Sequence, residues 1–596
     1  MSLFDPTVPE RLPRRILIAN RGEIALRVIN ACKDLGLTSI AIFADDDMEA
    51  PFVRHATEAY SLGAGGPGAT YLNIEKILTL ASEVGAEAIH PGYGFLSERA
   101  DFARAVVDAG LTWIGPSAEV IEQLGNKITA RDVARKVGAP LVAGTDGPIS
   151  DPQEAIQFAR QHGLPVVIKA AHGGGGRGMK VAYRLEDVAE LFQSATQEAI
   201  TAFGRGECFV EQFIDRPRHV EVQILADRHG TVKVLGTRDC SMQRRNQKLI
   251  EEAPAPFLTP EQRDDLHQSA QRICAEVGYQ GAATVEFLLS NTGLISFLEV
   301  NTRLQVEHCV TEEVTGIDIV TAMIRIAGGA KLQNADLPQM RGHAIEFRIN
   351  AEDPARGFLP APGKITLWQP PSGPGVRLDS GVEQGSAVSG RFDSMLAKLI
   401  ITGPDRATAI ARARRALSAF RVEGVPTVLP FARLAIEQEA FQATGAEGFS
   451  VHTRWIETDF AETLEKELVP APLPASANGV DMRRLPIQID GRWHEIALPE
   501  AFLSQSFSSQ ASSTPTATLS GDDAEDGECV RAPIAGTVAR WQAEDGAEVT
   551  AGQTIAILEA MKMEIAVTAE ANGKLRQLVA AGATVAAEAV VARITT

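Results

Sequence analysis

Residues 503–528, LSQSFSSQASSTPTATLSGDDAEDGE, are the stretch that most limits what this chain can fold into. The run is serine- and threonine-rich and then acidic. It has too little apolar surface to offset the entropy of ordering it. It therefore reads as a linker, and it forces the chain into a long body before it and a short one, 529–596, after it. The length suggests about four domains at ~150 residues each. A hydrophobic content of 45% and a charged content of 22% suit packed globular cores.

The long body starts with alternation. RRILIAN reads as a buried strand, GEIALRVINACKDLG as a helix, and TSIAIFA, AEAIHPG and LTWIGP as three further strands. Strands alternating with helices over 14–125 imply a parallel sheet. The first strand-to-helix turn holds NRGE and not GxGxxG, so dinucleotide binding is not indicated. A smaller unit at about 140–215 has strands PVVIKA, MKVAY and CFVEQFI, with the loop GGGGRG between the first two. More β runs follow, HVEVQILAD, TVKVLGTRDCS, AATVEFLLS and LISFLEVN, and then α+β sequence to about 455. Between 457 and 502 one element stands out, LPIQIDGRWHEIAL, two strands around Asp490-Gly491.

The short body is β-rich and repeats itself. APIAGTVARWQAEDGAEVTAG resembles AEANGKLRQLVAAGATVAAE, with Gly536, Gly546 and Val549 matching Gly573, Gly582 and Val585. Two such halves suggest a flattened barrel with approximate two-fold symmetry. Lys562 falls at their junction, between Met561 and Met563. Methionine suits a surface that another protein must grip. A lysine presented by a tethered barrel looks like the attachment point of a swinging arm; the plain alternative is a solvated hairpin lysine.

Four strings in the long body carry chemistry. GGGGRG lies between strands, where glycine lets amides approach phosphate and lets a lid move; GxxxxGK[ST] is absent, so it is not a P-loop. ATVEFLLSNTGLISFLEVN reads as a hairpin that sets Glu286 nearly opposite Glu299. Two carboxylates so placed repel unless a cation lies between them, and magnesium takes a few carboxylates plus substrate phosphates. EVNTRLQVEH places Glu299, Asn301, Arg303, Gln305 and Glu307 at alternating positions, which on a strand share one face. DCSMQRRNQKLIEEAPAP adds Arg244, Arg245 and Lys248, otherwise a solvated basic patch.

Bulk properties exclude several classes. The formal net charge of -19 argues against a nucleic-acid partner and against an anionic membrane surface. No apolar run is long enough to span a bilayer. The six cysteines lack CxxC spacing, and the amino end has no signal-peptide core, so a reducing cytoplasmic address is expected.

EAMKME resembles the biotin attachment motif of biotin carboxyl carrier domains. ILIANRGEIALRV, AIHPGYGFLSE, GGGGRGM, RDCSMQRRNQK, EEAPAP, EVNTRLQVEH, FRINAEDP and RFDSMLAKL together resemble biotin carboxylase, of the ATP-grasp superfamily. The whole layout resembles the biotinylated alpha chain of actinobacterial acyl-CoA carboxylases. The implied fold is α/β and α+β: a Rossmann-like pre-ATP-grasp domain at 14–125, an ATP-grasp domain at 126–340 with a mobile lid at about 140–215, and a C-terminal biotin carboxylase domain at 341–456. A short interaction segment with the hairpin, 457–502, the linker and an all-β biotinyl domain, 529–596, complete it.

The resemblance also implies roles. Lys127, Lys169, Glu211, His219, Gln243 and the loop glycines Gly174, Gly175 and Gly176 match ATP-contacting positions. Glu286, Glu299 and Asn301 match the magnesium (or manganese) site. Bicarbonate would sit against Arg303, Gln305 and the backbone at Val306. Glu307 would deprotonate it for attack on the γ-phosphate, giving carboxyphosphate, with Lys248 as a phosphate-side cation. Arg348 matches the residue that stabilises the biotin enolate, and Lys562 is the lysine that carries biotin. Asn246 stands where some relatives have histidine, and His172 where the bacterial stand-alone enzyme has glycine. The expected partners are a biotin protein ligase, a separate carboxyltransferase beta subunit, since no such domain is recognisable here, and further copies of the chain. The other ligase reading is an ATP-grasp enzyme with a different acceptor and a lipoyl-type carrier.

Overall fold

The computed structural model describes residues 3–145, 147–170, 179–203, 205–335, 340–468, 482–489, 492–499, 528–534, 536–560, 563–585 and 589–595. Lys562, the glycines Gly174, Gly175 and Gly176, His172, the Asp490-Gly491 turn and the linker 503–527 lie outside them. The chain divides into two compact units, 1–469 and 470–596.

The first unit begins with a parallel sheet of five strands: β1 (Arg15–Ile18), β2 (Thr38–Ala44), β3 (Glu58–Gly63), β4 (Ala88–His90) and β5 (Thr112–Trp113), in the order β3-β2-β1-β4-β5. Sequence reading expects four of these and misses β3. That strand, EAYSLG, lies at the sheet edge, has one buried residue and lacks the apolar run of its neighbours. The order reverses between β1 and β4, the arrangement of a doubly wound half-fold. There Asn20 donates from Nδ2 to the carbonyls of Pro91 (2.8 Å) and Tyr93 (2.7 Å), tying the two loops together.

A three-stranded antiparallel sheet follows: β6 (Val166–Ala170) between β7 (Met179–Ala182) and β8 (Cys208–Gln212). The helices Pro152–His162 and Val188–Phe203 pack on it around Phe158, Ile168, Phe192 and Val210.

The site rests on an eight-stranded antiparallel sheet. Its strands include β9 (Arg218–Ala226), β10 (Val232–Arg244), β11 (Gln247–Ala253), β12 (Gly281–Leu289), β13 (Ile295–Asn301) and β14 (His343–Asn350). The order is β13-β12-β9-β10-β11-β14, continued by Met395–Gly403 and Val376–Ser380. Strand β11 is not expected from sequence, because its polar start QK reads as surface. It bridges β10 and β14, so a single sheet runs across the expected division at 340/341. The turn from β10 to β11 puts Arg245 (φ 48) and Asn246 (φ 64) in the left-handed region, with Arg244 paired to Gln247. That is the backbone of a two-residue hairpin turn, in which asparagine is well tolerated.

In the second unit, Met482–Ile489 pairs antiparallel with Arg492–Pro499, in register from Met482–Pro499 to Ile489–Arg492. The rest is an eight-stranded barrel of two four-stranded sheets. The halves interchange strand for strand: Glu528–Arg531 with Met563–Thr568, Gly536–Trp541 with Gly573–Gln577, Glu548–Val549 with Thr584–Val585, and Thr554–Ala560 with Val590–Thr595. Every pairing in one sheet has its counterpart in the other. The repeated glycines have the same reason in both halves. A Cβ at Gly536 would stand 2.7 Å from the carbonyl of Glu559, and one at Gly573 would stand 2.5 Å from that of Thr595. The strands flanking Lys562 are paired up to Ala560 and Met563.

Among the described residues no helix is long and apolar enough to cross a membrane. The six cysteines are free, five of them buried.

Candidate active site

Strands β12 and β13 pair Glu286 with Glu299, which the sequence puts nearly opposite; a bulge beside Glu286 makes the pairing direct. Around Glu286 the donors converge. Its Oε1 accepts from Lys248 Nζ (2.9 Å), Asn301 Nδ2 (2.8 Å) and Gln305 Nε2 (2.9 Å), and its Oε2 lies 3.1 Å from His219 Nε2. Burial alone would raise the Glu286 carboxyl, but Lys248 and His219 hold it well below the usual carboxylate range. Glu299 is pushed up, by burial first and then by Glu286. A divalent cation between the two would remove that repulsion, and Asn301 adds an amide oxygen of the right hardness. The donor set fits magnesium.

Lys248 is the centre of charge. Its ammonium donates to Glu221 Oε2 (2.7 Å), Glu286 Oε1 (2.9 Å) and Glu307 Oε1 (2.7 Å), so it is buried among carboxylates and is no solvated patch. Glu307 is also held through Oε2 by Arg348 (3.0 Å), whose Nε donates to Glu251 (2.5 Å). Burial opposes ionisation of Glu307, but Lys248, Arg348 and Arg238 outweigh it and keep its pKa well below the ordinary value. Glu251 is pushed up to about 7 by burial, against the pull of Arg348.

The expected shared strand face of 299–307 is only half right. Strand β13 stops at Asn301, and Glu307 immediately precedes the helix His308–Thr315 without capping it by its side chain. Residues 302–306 form an irregular segment, so Arg303, Gln305 and Glu307 reach the site by a turn and not by alternation. Arg303 donates to Asn301 Oδ1 (3.0 Å) and to Glu98 Oε2 (2.8 Å) of the loop after β4. Val306 offers its carbonyl to Lys398 Nζ (3.0 Å).

His219 joins this cluster at Glu286, and the other expected residues lie around it. His219, on β9, has Gln243 Nε2 3.3 Å from its Nδ1, and Gln243 also donates to the Cys240 carbonyl (3.0 Å). Lys127 opens the helix Lys127–Lys136, exposed, with its charge acting on Glu299. Lys169 and Glu211, given separate tasks on sequence grounds, pair with each other at 2.6 Å between β6 and β8, and Arg131 also pairs with Glu211.

Sequence reasoning missed Glu221, Arg238, Glu251, Glu98 and Lys398. Arg238 is fully buried. It donates to Glu221 (2.5 Å), Gln223 (2.6 Å), Thr311 (2.9 Å), Thr284 (3.0 Å) and Gln305 (3.1 Å), a pillar beneath the whole cluster. The signal was present on β9: His219, Glu221 and Gln223 alternate as a polar face within an apolar strand.

This geometry can hold a phosphate-bound cation and a small anion, and it can keep one carboxylate ionised in a buried site. Comparisons with known proteins identify the family. Family models match as the biotin carboxylase N-terminal domain (13–121), the carbamoyl-phosphate synthase L chain ATP-binding domain (126–335), the biotin carboxylase C-terminal domain (346–458) and the biotin-requiring enzyme domain (528–594). A "biotin-dependent acyl-coenzyme A carboxylase alpha3 subunit" of Mycobacterium leprae is 52% identical, over 97% of this chain and 98% of its own length. A "biotin carboxylase" of Nostoc sp. is 48% identical, over 72% of this chain and 96% of its own. Among solved structures, the biotin carboxylase domain dimer of Hydrogenobacter thermophilus 2-oxoglutarate carboxylase, in complex with MgADP, ADP and bicarbonate, matches with a TM-score of 0.71 and 43% identity, covering 76% of this chain and 99% of that one.

Proposed function

This chain belongs to the biotin-dependent carboxylases, in the alpha-subunit arrangement of a biotin carboxylase followed by a biotinyl domain, and we propose that it carboxylates biotin on its own Lys562 with ATP and bicarbonate. It is an ATP-grasp ligase whose cofactors are biotin, ATP and magnesium, for which manganese could substitute. The observation that carries the mechanistic reading is the convergence of Glu221, Glu286 and Glu307 on Lys248, with Arg348 on Glu307 and Arg303 on Asn301 beside them.

In this reading Glu286, Glu299 and Asn301 hold the metal, which when bound neutralises charge on the transferring phosphoryl group. Lys127, Lys169, Glu211, His219 and Gln243, with Gly174, Gly175 and Gly176, surround the nucleotide. Arg303, Gln305 and the Val306 backbone cradle bicarbonate. Glu307, ionised because three cations face it, accepts the bicarbonate proton. A bicarbonate oxygen then bonds to the γ-phosphorus as its bond to ADP breaks. Arg348, anchored by Glu251, orients the acceptor ring beside Glu307. Lys248 keeps a positive charge next to the phosphate. The carboxyphosphate would break down to carbon dioxide and phosphate, the phosphate taking the ureido proton, and biotin, when attached, would supply the nitrogen that bonds to the carbon dioxide.

A biotin protein ligase loads Lys562. A separate carboxyltransferase beta subunit then passes the carboxyl group to acetyl-CoA, propionyl-CoA or a longer acyl-CoA, in a cytoplasmic assembly holding several copies of this chain. The alpha-subunit name of the Mycobacterium leprae relative supports this reading. The test is bicarbonate-dependent ATP cleavage stimulated by free biotin, together with the mass of the Lys562 peptide from protein made with its own ligase. Cleavage plus a biotin-sized increment is expected. A lipoyl-sized increment, or ATP cleavage indifferent to bicarbonate, overturns the reading.

A further inference from the structure

Residues 302–306 lie between a strand and a helix, so their backbone groups need partners that no ladder supplies. Three successive carbonyls are met by side chains. Leu304 O accepts from Arg303 (3.2 Å), Gln305 O from the His308 ring at Nδ1 (2.7 Å), and Val306 O from Lys398 Nζ (3.0 Å). Arg303 and His308 hold the segment from within. Lys398 arrives from 92 residues further along the chain.

Lys398 is fully buried, in the strand Met395–Gly403. It stands in register with Arg348 on β14. One strand pair thus sends Arg348 to the Glu307 carboxylate (3.0 Å) and Lys398 to the carbonyl just before Glu307 (3.0 Å). From the other side Glu23, in the first turn of the helix Gly22–Asp34, comes within 3.3 Å of the ammonium, and Asp379 within 4.0 Å. Burying an ammonium is costly, and an apolar side chain would fill a strand interior at less cost. Here the charge faces the Glu23 and Asp379 carboxylates, and the hydrogen bond goes to the Val306 carbonyl.

A trans peptide is planar, so gripping the carbonyl of residue 306 also fixes the N–H and Cα of residue 307. We propose that Lys398 is a positioning residue for bicarbonate: it locks the 306–307 peptide so that the Val306 backbone and the Glu307 carboxylate face the cradle together. Glu23 makes the N-terminal five-stranded domain part of that lock. This rests on reading 303–307 as the bicarbonate site.

The test compares full-length chains in steady-state, bicarbonate-dependent ATP cleavage. K398M is expected to raise the KM for bicarbonate by about tenfold, the loss of one charge-assisted hydrogen bond, with the KM for ATP unchanged. Because K398M leaves Glu23 without its cation and can cost folding, K398M/E23Q is measured beside it. K398R, which keeps a donor, is expected to restore part of the bicarbonate KM. An unchanged bicarbonate KM in folded K398M/E23Q, or both KM values rising together as the melting temperature falls, overturns the inference alone. Bicarbonate-independent ATP cleavage by the unaltered chain removes the cradle reading and the inference with it.

Discussion

Replacing Lys248 with methionine removes one cation from three carboxylates. Each contact, at 2.7–2.9 Å, has a gross attraction of about 6 kcal/mol at an effective dielectric of ~20. Most of that offsets the burial of the four charges. Truncating one partner of a buried pair costs ~3–5 kcal/mol. Here Arg238 still holds Glu221, His219 still faces Glu286, and Arg348 still holds Glu307, so the lower end, ~3 kcal/mol, is expected. Urea unfolding of the intact chain, followed by intrinsic fluorescence, measures it. The sign with pH follows from the same contacts. Lys248 is one of the cations holding Glu286 and Glu307 ionised against burial. Without it both pKa values rise, so the variant's stability deficit shrinks as pH falls and the carboxylates take up protons. If Glu307 is the base, the acid limb of bicarbonate-dependent ATP cleavage moves to higher pH. A variant with lower activity but an acid limb and a pH–stability curve parallel to those of the unaltered chain would refute the reasoning.

Two further outcomes are expected. Burial opposes ionisation of Glu252, but Arg406 and His343 hold its pKa at about 2 against an ordinary 4.5. This group then contributes ~3 kcal/mol above pH 4.5, lost as pH falls toward 2, and E252Q should flatten the stability curve in that window. A valine at Gly536 drives Cβ into the Glu559 carbonyl and is expected to destabilise the barrel by ~1–3 kcal/mol. Biotin incorporation at Lys562 should fall in that variant while ATP cleavage with free biotin holds; equal biotinylation by mass spectrometry would count against it.

The parts legible in sequence were those written locally. The hairpin around SNTG brought Glu286 and Glu299 near one another, with a one-residue bulge making them direct partners, and the doubled glycine pattern of 529–596 gave a barrel whose sheets exchange strand for strand. What escaped is long-range. Arg238, Glu251 and Lys398 sit in strands that look ordinary in isolation, and a charge in such a strand reads as an exposed alternate. Only the pairing of β10 with β9, of β11 with β14, and of β14 with Met395–Gly403 brings those side chains to the site. Arg303, Gln305 and Glu307 were rightly grouped for a wrong reason: spacing by two suggested a strand, while an irregular turn held by distant donors brings them together.

The exchange symmetry of the barrel also sets its polarity. Under the two-fold, the hairpin joining Ala560 to Met563 maps onto the place where Glu528–Arg531 meets Val590–Thr595, the strands by which the chain enters and leaves. The two ends of the module are therefore opposite poles. The linker joins at one, and the lysine falls in the sequence at the other, a strand length of ~20 Å away. The described strands of the barrel thus separate the point where the preceding sequence joins from the point where Lys562 falls in the sequence.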